Sequence, residues 1–438
     1  MNCHYSKAEF FLFTILLLAV FYYSFSQPAI SLNDGHPFDS QSYFKMAKQA
    51  AAGESISELK PFAYRVALPY LVGTFFKNDL DLGFKVLNLG FGLLTLILMI
   101  DYFKHFKLRN VTILVLLILF VVNPNSVFRF SQFIPAYTDP AGLFFVLLFM
   151  VMGYRVKNIT ISMGFGLLVL AFIGVLFREI ALCGVLVFIY AQCFELKARS
   201  PFLAVDLTKK LLICCLPLAG ALWGIFLTHR VINATGGYLF SDTIVGVISQ
   251  LANQPSIYFV SWLTAFGVIP VVLLIGLNRK ILIFLRENQS VTVFLLGSIL
   301  LSLVSGFHTD RIVFWSYPAV LLLFGYFIEN SPVTDSSLSF KLLFYMPLGI
   351  VQIISNRVFL SIPDDPFGKL FSPGPAEHIY FAPYGNVTLG HTYGSTMVVE
   401  DRITLLYQFG ILAIFLVALL FVISRYSTQD PKKIFSKA

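Results

Sequence analysis

Long stretches with almost no charge, such as residues 10–26, 111–122 and 411–423, constrain this chain more than any other feature. A helix needs about 20 predominantly apolar residues to cross a ~30 Å hydrocarbon core. The 438 residues hold enough such material for about a dozen crossings and leave little for a water-soluble domain. Only 12% of residues are charged, against about 25% in soluble domains. A cytosolic enzyme, a secreted disulfide scaffold and a nucleic-acid binder are excluded on these grounds. The sequence predicts an all-α polytopic membrane protein of about 12 transmembrane helices, folded as a single domain over 1–438.

The predicted spans are 10–26, 82–101, 110–124, 139–154, 159–177, 180–195, 210–229, 256–278, 291–307, 312–328, 341–356 and 403–424. The run 159–195 is too long for one crossing. Arg155 and Lys157 precede it, and Lys197, Arg199, Lys209 and Lys210 follow it. Basic flanks on one side require an even number of crossings, so a helical hairpin is expected with Arg178 and Glu179 at its tip. With twelve crossings both termini share a face that collects 18 of the 31 Lys and Arg residues. The positive-inside rule makes that face cytoplasmic. The net charge of +8 is then a topology signal, not a footprint for nucleic acid. A bacterial inner membrane is the expected location, with the endoplasmic reticulum as the alternative. No cysteine falls in an outer loop, so no disulfide framework is expected. An uncleaved first helix is expected, because no small-x-small site follows it and Tyr22, Tyr23 and Phe25 read as an interfacial belt.

Three outer segments are long: 27–81, 230–255 and 357–402. The first carries Asn33-Asp34-Gly35-His36-Pro37 and then Phe38-Asp39-Ser40-Gln41-Ser42-Tyr43. A helix is expected over about 40–52, with Asp39 as N-cap and Gly53 as stop. Its apolar side, Tyr43, Phe44, Met46, Ala47 and Ala50, predicts that it lies along the membrane surface. Arg65 follows within an aromatic, proline-flanked run. Four more charged spots belong to the same face: Tyr137-Thr138-Asp139-Pro140, Phe177-Arg178-Glu179, His308-Thr309-Asp310-Arg311 and Glu400-Asp401-Arg402. Charges at a hydrocarbon boundary are expensive and usually face the protein interior or a cavity. Each spot alone reads equally as a boundary salt bridge; five on one face point to an outward-opening polar site.

The order of these pieces resembles the GT-C class of integral-membrane glycosyltransferases. The segment Phe38-Asp39-Ser40-Gln41-Ser42-Tyr43 with Ala47 is similar to a bacterial Asp-x-x-x-Tyr-x-x-x-Ala pattern. The run Pro61-Phe62-Ala63-Tyr64-Arg65-Val66-Ala67-Leu68-Pro69 resembles the arginine-and-proline stretch that follows it in bacterial members. Thr138-Asp139-Pro140 and Arg178-Glu179 are also similar to recurrent features of the group. The likeness covers about residues 1–200, and the double acidic signature of some members is absent around Asp39. The resemblance implies a polyprenyl-phosphate sugar donor, a glycan, lipid or protein acceptor, and reaction on the outer face.

Sugar transfer from a phosphate needs a base for the acceptor hydroxyl and cations for the departing phosphate. Asp39 is the candidate catalytic base, its plainer role being a helix cap. Arg65, Arg178 and Arg311 are candidate phosphate ligands because guanidinium forks match phosphate oxygens; Arg178 has the alternative of pairing only with Asp139 or Glu179. Tyr43, Asp139, Glu179, His308 and Asp310 complete the candidate substrate-binding set. His308 and Asp310 alone are too few for a metal centre, so metal dependence is left open and no cofactor is assigned. The turn-rich, aromatic segment 357–402 reads as a lid or acceptor surface. Two other classes stay open: a secondary transporter, which predicts midplane ionisable residues and paired broken helices, and a polymerase or ligase of lipid-linked glycans.

Overall fold

The computed structural model describes residues 7–26, 32–36, 39–123, 125–156, 159–195, 204–237, 240–253, 256–304, 309–331 and 338–355. This part of the chain is mostly helical, with one short two-stranded parallel sheet. Segment 357–402 and span 403–424 lie outside the described residues. Among the described residues, two helices are long and apolar enough to cross a membrane, Leu80–His105 and Leu211–Val231. Apolar helices of 10–17 residues include Asn110–Val121, Ile161–Phe177 and Gln289–Ser302.

Local signals explain several boundaries. Asp79 opens Leu80–His105, its side chain accepting from the Leu82 N–H at 2.9 Å, and Lys104 and His105 close it. Both are where the helix macrodipole favours them. Thr160 caps Ile161–Phe177 through the Met163 N–H. That helix and Ala181–Tyr190 form the expected hairpin, with Arg178 and Glu179 between them. Glycines set how closely its neighbours pack. A Cβ on Gly184 would lie 2.7 Å from the Val146 backbone, so helix Asp139–Arg155 approaches Ala181–Tyr190 only because that atom is missing.

Apolar stripes are turned outward while several charged residues are turned inward. Ile161, Phe165, Val169 and Ile173 recur every fourth residue along one helix, and each is well exposed. Arg129, Asp139, Arg178 and Arg311 are buried. Soluble monomers show the reverse, with contiguous apolar patches rarely above a few hundred Å².

The structure departs from the sequence expectations in five places. Helix Asp39–Ala52 begins one residue early, so Asp39 lies in its first turn. The stop at Gly53 holds, at φ +72°. Tyr43, Met46 and Ala47, the side expected to face lipid, are wholly buried. Helix Ala67–Phe75, which was not expected, packs against this helix, and Gly73 gives Ala50 the room to approach. Outer segment 230–255 contains strand Asn233–Gly237 and helix Phe240–Asn253. Span 312–328 is divided at Trp315 and Ser316 into Thr309–Phe314 and Tyr317–Asn330.

The fifth departure is a broken span. Region 256–278 forms Ser256–Phe266 and Ile269–Ile275, separated at Gly267, whose φ of +61° favours glycine. A break inside apolar surroundings leaves backbone groups to satisfy. Gln352 spans it: its Nε2 donates to the Phe266 carbonyl at 2.9 Å and its Oε1 accepts from the Val268 N–H at 3.1 Å. The Asn123 amide donates to the Ala265 carbonyl.

The two ends of the helix layer each make contacts among themselves. At one end, strands Ser57–Lys60 and Asn233–Gly237 pair, and Tyr64 stacks on His229 with centroids 3.6 Å apart. At the other, Arg155 pairs with Asp101, the Glu329 carboxylate accepts from the Arg109 N–H, and Tyr190 donates to Gln289. The first set falls in segments expected outside or, for His229, at the outer end of a predicted span; the second falls in segments expected inside or, for Asp101 and Tyr190, in the inner part of one.

Candidate functional site

Helix Asp39–Ala52 presents Asp39 and Tyr43 one turn apart, with Met46 and Ala47 continuing the same face. The Arg65 guanidinium donates through Nη1 to the Tyr43 hydroxyl at 2.7 Å and through Nε to Glu179 at 2.9 Å. Arg65 sits between the short turn Phe62–Tyr64 and helix Ala67–Phe75, which holds it against helix Asp39–Ala52. Glu179 and Arg178, adjacent at the hairpin tip, reach in different directions. Arg178 extends to Asp139 at 3.1 Å and donates to the Thr138 hydroxyl at 3.0 Å. Its guanidinium carbon also lies 5.2 Å from the centre of the Trp315 ring.

Arg311 closes the arrangement. Its Nη2 lies 3.3 Å from the Asp39 carboxylate and its Nη1 lies 3.8 Å from Asp139, with the Tyr137 ring beneath at 4.8 Å. The side chains form two runs, Asp39–Arg311–Asp139–Arg178 and Glu179–Arg65–Tyr43, and the chain joins them into a circuit, through the adjacent residues 178 and 179 and along one helical turn from Tyr43 to Asp39. Five separate stretches of chain supply it. Three carboxylates face three guanidiniums, so the described side chains of the circuit sum to zero charge.

The environment separates the three arginines. Burial opposes the charge on Arg65, but Glu179 and Tyr43 outweigh it and raise its pKa well above the usual arginine range. Burial likewise pushes the Glu179 carboxyl up, and Arg65 with Arg178 more than reverses this, leaving it below the usual carboxylate range. Arg65 and Arg178 thus have partners suited to a structural role. Arg311 differs. Its side chain is 10% exposed, and its Nε and Nη1 have no hydrogen-bond acceptor. Both Asp139 oxygens also lack a hydrogen-bond donor, although Arg178 and Arg311 flank them. A buried guanidinium with unfilled donors is expensive, since each such group forfeits about 1–3 kcal/mol of solvation. Such a group is what an incoming anion would complete.

Of the residues named from sequence, Asp39, Tyr43, Arg65, Asp139, Arg178, Glu179 and Arg311 come together. His308 lies outside the described residues. Of Asp310 only the backbone is described, in helix Thr309–Phe314. The site also includes Tyr137, Thr138 and Trp315. Tyr137 and Thr138 precede Asp139 in a charged spot the sequence singled out. Trp315 read as ordinary span material, and nothing in its local pattern marks it. Among the described residues no group of three or more His, Cys, Asp or Glu side chains is arranged to hold a metal ion. No protein-family model, curated protein or solved structure matches the chain.

Proposed function

We propose that this protein is a membrane-embedded glycosyltransferase that moves a sugar from a polyprenyl-phosphate carrier to an acceptor hydroxyl. The observation carrying the reading is the meeting of Asp39 and Arg311, 272 positions apart, in a circuit of charged side chains that the chain itself closes. It is supported by outward apolar stripes with buried ionic groups, the arrangement a bilayer favours. The segregation of contacts at the two helix-layer ends supports the twelve-crossing plan, with the circuit on the outer face and both termini in the cytoplasm.

In this mechanism the acceptor oxygen attacks the anomeric carbon of the donor sugar. Asp39 takes the hydroxyl proton as the new glycosidic bond forms. The bond from the anomeric carbon to the phosphate oxygen breaks, and the electron pair leaves on the phosphate. Arg311, with unfilled donors, receives the charge developing there. Asp139 and Arg178 hold Arg311 in place from behind, and Arg65 and Glu179 fix the helix carrying Asp39 through Tyr43.

Purified protein in liposomes should transfer sugar from a polyprenyl-phosphate donor, and Asp39→Asn should slow transfer by at least about 100-fold while the chain remains folded. Undiminished transfer by that variant removes Asp39 from the role. A secondary transporter is the second reading, and the broken span at Gly267 is the observation in its favour. The exposed backbone groups at that break are taken up by Gln352 and Asn123 rather than presented to a solute. Uptake of labelled solute into the same liposomes without sugar transfer would select the transporter.

A further inference from the structure

Trp315 occupies the break between helices Thr309–Phe314 and Tyr317–Asn330, four positions after Arg311. A tryptophan near the end of a span is ordinarily an interfacial anchor, its ring toward lipid and its N–H toward water. Trp315 is not placed that way. It is 9% exposed, and its ring lies against the Arg178 guanidinium. Its Nε1 is buried and has no acceptor. An indole N–H is a donor only, and when buried it usually finds a partner.

The unfilled donors at this site are therefore of two kinds. Arg311 contributes Nε and Nη1, and Trp315 contributes Nε1. Asp139 links them in space, since it lies beside Arg311 and also beside Arg178, which covers the Trp315 ring. The carboxylates of the circuit do not accept from the indole. What fits is an external group rich in acceptor oxygens and bearing negative charge.

We propose that the Trp315 indole N–H is a binding donor for a phosphate oxygen of the lipid-linked substrate, acting beside Arg311. This rests on the glycosyltransferase reading and adds a residue that recognises the carrier's phosphate. A guanidinium attracts any anion, whereas a neutral N–H in a fixed position requires an acceptor oxygen at one place. Trp315 then favours a tetrahedral phosphate head over a planar carboxylate of equal charge.

The chain has three tryptophans, Trp223, Trp262 and Trp315. Indole ¹⁵N labelling of the full protein in detergent therefore gives three N–H resonances, and Trp223→Phe and Trp262→Phe assign two by loss. Addition of a polyprenyl monophosphate should shift the remaining resonance downfield while the other two stay in place. A carboxylate-headed lipid of the same chain length should leave it unmoved. Trp315→Phe, which keeps an aromatic face for Arg178, should raise the donor KM about tenfold with kcat within about twofold; tenfold is about 1.4 kcal/mol, the lower end of what a hydrogen bond to a charged acceptor contributes. An unmoved Trp315 resonance with saturating phosphate lipid overturns the proposal even if Trp315→Phe does not fold. If the native chain binds the phosphate lipid and transfers sugar while the indole is silent, only the role of Trp315 is lost. If the native chain transfers no sugar, the glycosyltransferase reading fails independently of the indole shift.

Discussion

Asp39 and Arg311 lie 272 positions apart in sequence and 3.3 Å apart in space. One starts helix Asp39–Ala52 and the other belongs to the short helix Thr309–Phe314. Each is held in place by neighbours other than the pair itself: Asp39 by its helix and Arg311 by Tyr137 and Asp139. Under the proposed mechanism they act on the two halves of one displacement. Asp39→Asn and Arg311→Gln should each lower kcat by about 10²- to 10⁴-fold. The double variant should lose little more than the worse single one, because groups acting as a unit are not additive. Transfer rates for the four proteins check this, and independent, multiplying losses would show that the pair does not cooperate.

Breaking the Arg178–Asp139 pair should be a stability effect. Their side chains are 4% and 10% exposed, and removal of one buried partner strands the other. Asp139→Ala should destabilise the protein by about 3–5 kcal/mol. Thermal unfolding in detergent measures it, and a melting temperature equal to the native one would contradict the pairing.

The Arg65–Glu179 contact makes stability depend on acid. Glu179 is held below the ordinary carboxylate value of 4.5 in the folded chain. Between its folded and unfolded values the unfolded state binds more protons, so stability rises with pH there. The contribution is complete above the unfolded value and fades as pH falls through the folded one. Glu179→Gln should flatten the stability profile below about pH 4.5 and leave its slope unchanged near neutrality. Parallel acid-unfolding curves for native and variant protein would oppose this.

Gly142 faces Arg178 across the helix contact, and a Cβ there would lie 2.9 Å from the arginine Cβ and 2.8 Å from an Ile180 methyl. Gly142→Val should push Arg178 off Asp139 and lose about 1–3 kcal/mol through overpacking. It should also depress activity, although residue 142 touches no substrate in the proposed mechanism. Activity unchanged in a fully folded variant would show that Arg178 does not need its present position.

Gln352 bridges the break at Gly267 with both ends of its amide. Gln352→Leu should leave the Phe266 carbonyl and Val268 N–H without that partner, at about 1–3 kcal/mol each. Reduced thermal stability and faster amide exchange at Val268 are expected, and native-like exchange would mean the break is held by other means.

Much of the candidate site was legible in sequence because isolated charges in an apolar chain stand out. Asp139, Arg178 and Arg311 were visible as charged residues at predicted span ends, Asp39 and Arg65 as charged residues within the long segment 27–81, and the expected sidedness put all five on one face. Their pairing was not legible, since no local rule says that Arg65 meets Glu179 and Arg178 meets Asp139. Trp315 was hidden for a different reason: an aromatic residue in a span has a default explanation. The break at Gly267 was missed because an apolar run shows no interruption when its polar partners, Asn123 and Gln352, sit far away in sequence. Helix Ala67–Phe75 was obscured by Pro69, which a helix tolerates in its first turn.

The cancellation of charge around the circuit has a consequence for how a substrate would arrive. Three carboxylates and three guanidiniums at contact distance project almost no field beyond a few ångströms. An anion in solution is not drawn toward such a surface, and ionic strength has little leverage on its capture. A phosphate tethered to a lipid tail needs no such attraction, because diffusion within the plane of the bilayer delivers it. The neutral circuit would then select by confinement, passing over the soluble phosphates that a positively charged pocket would collect.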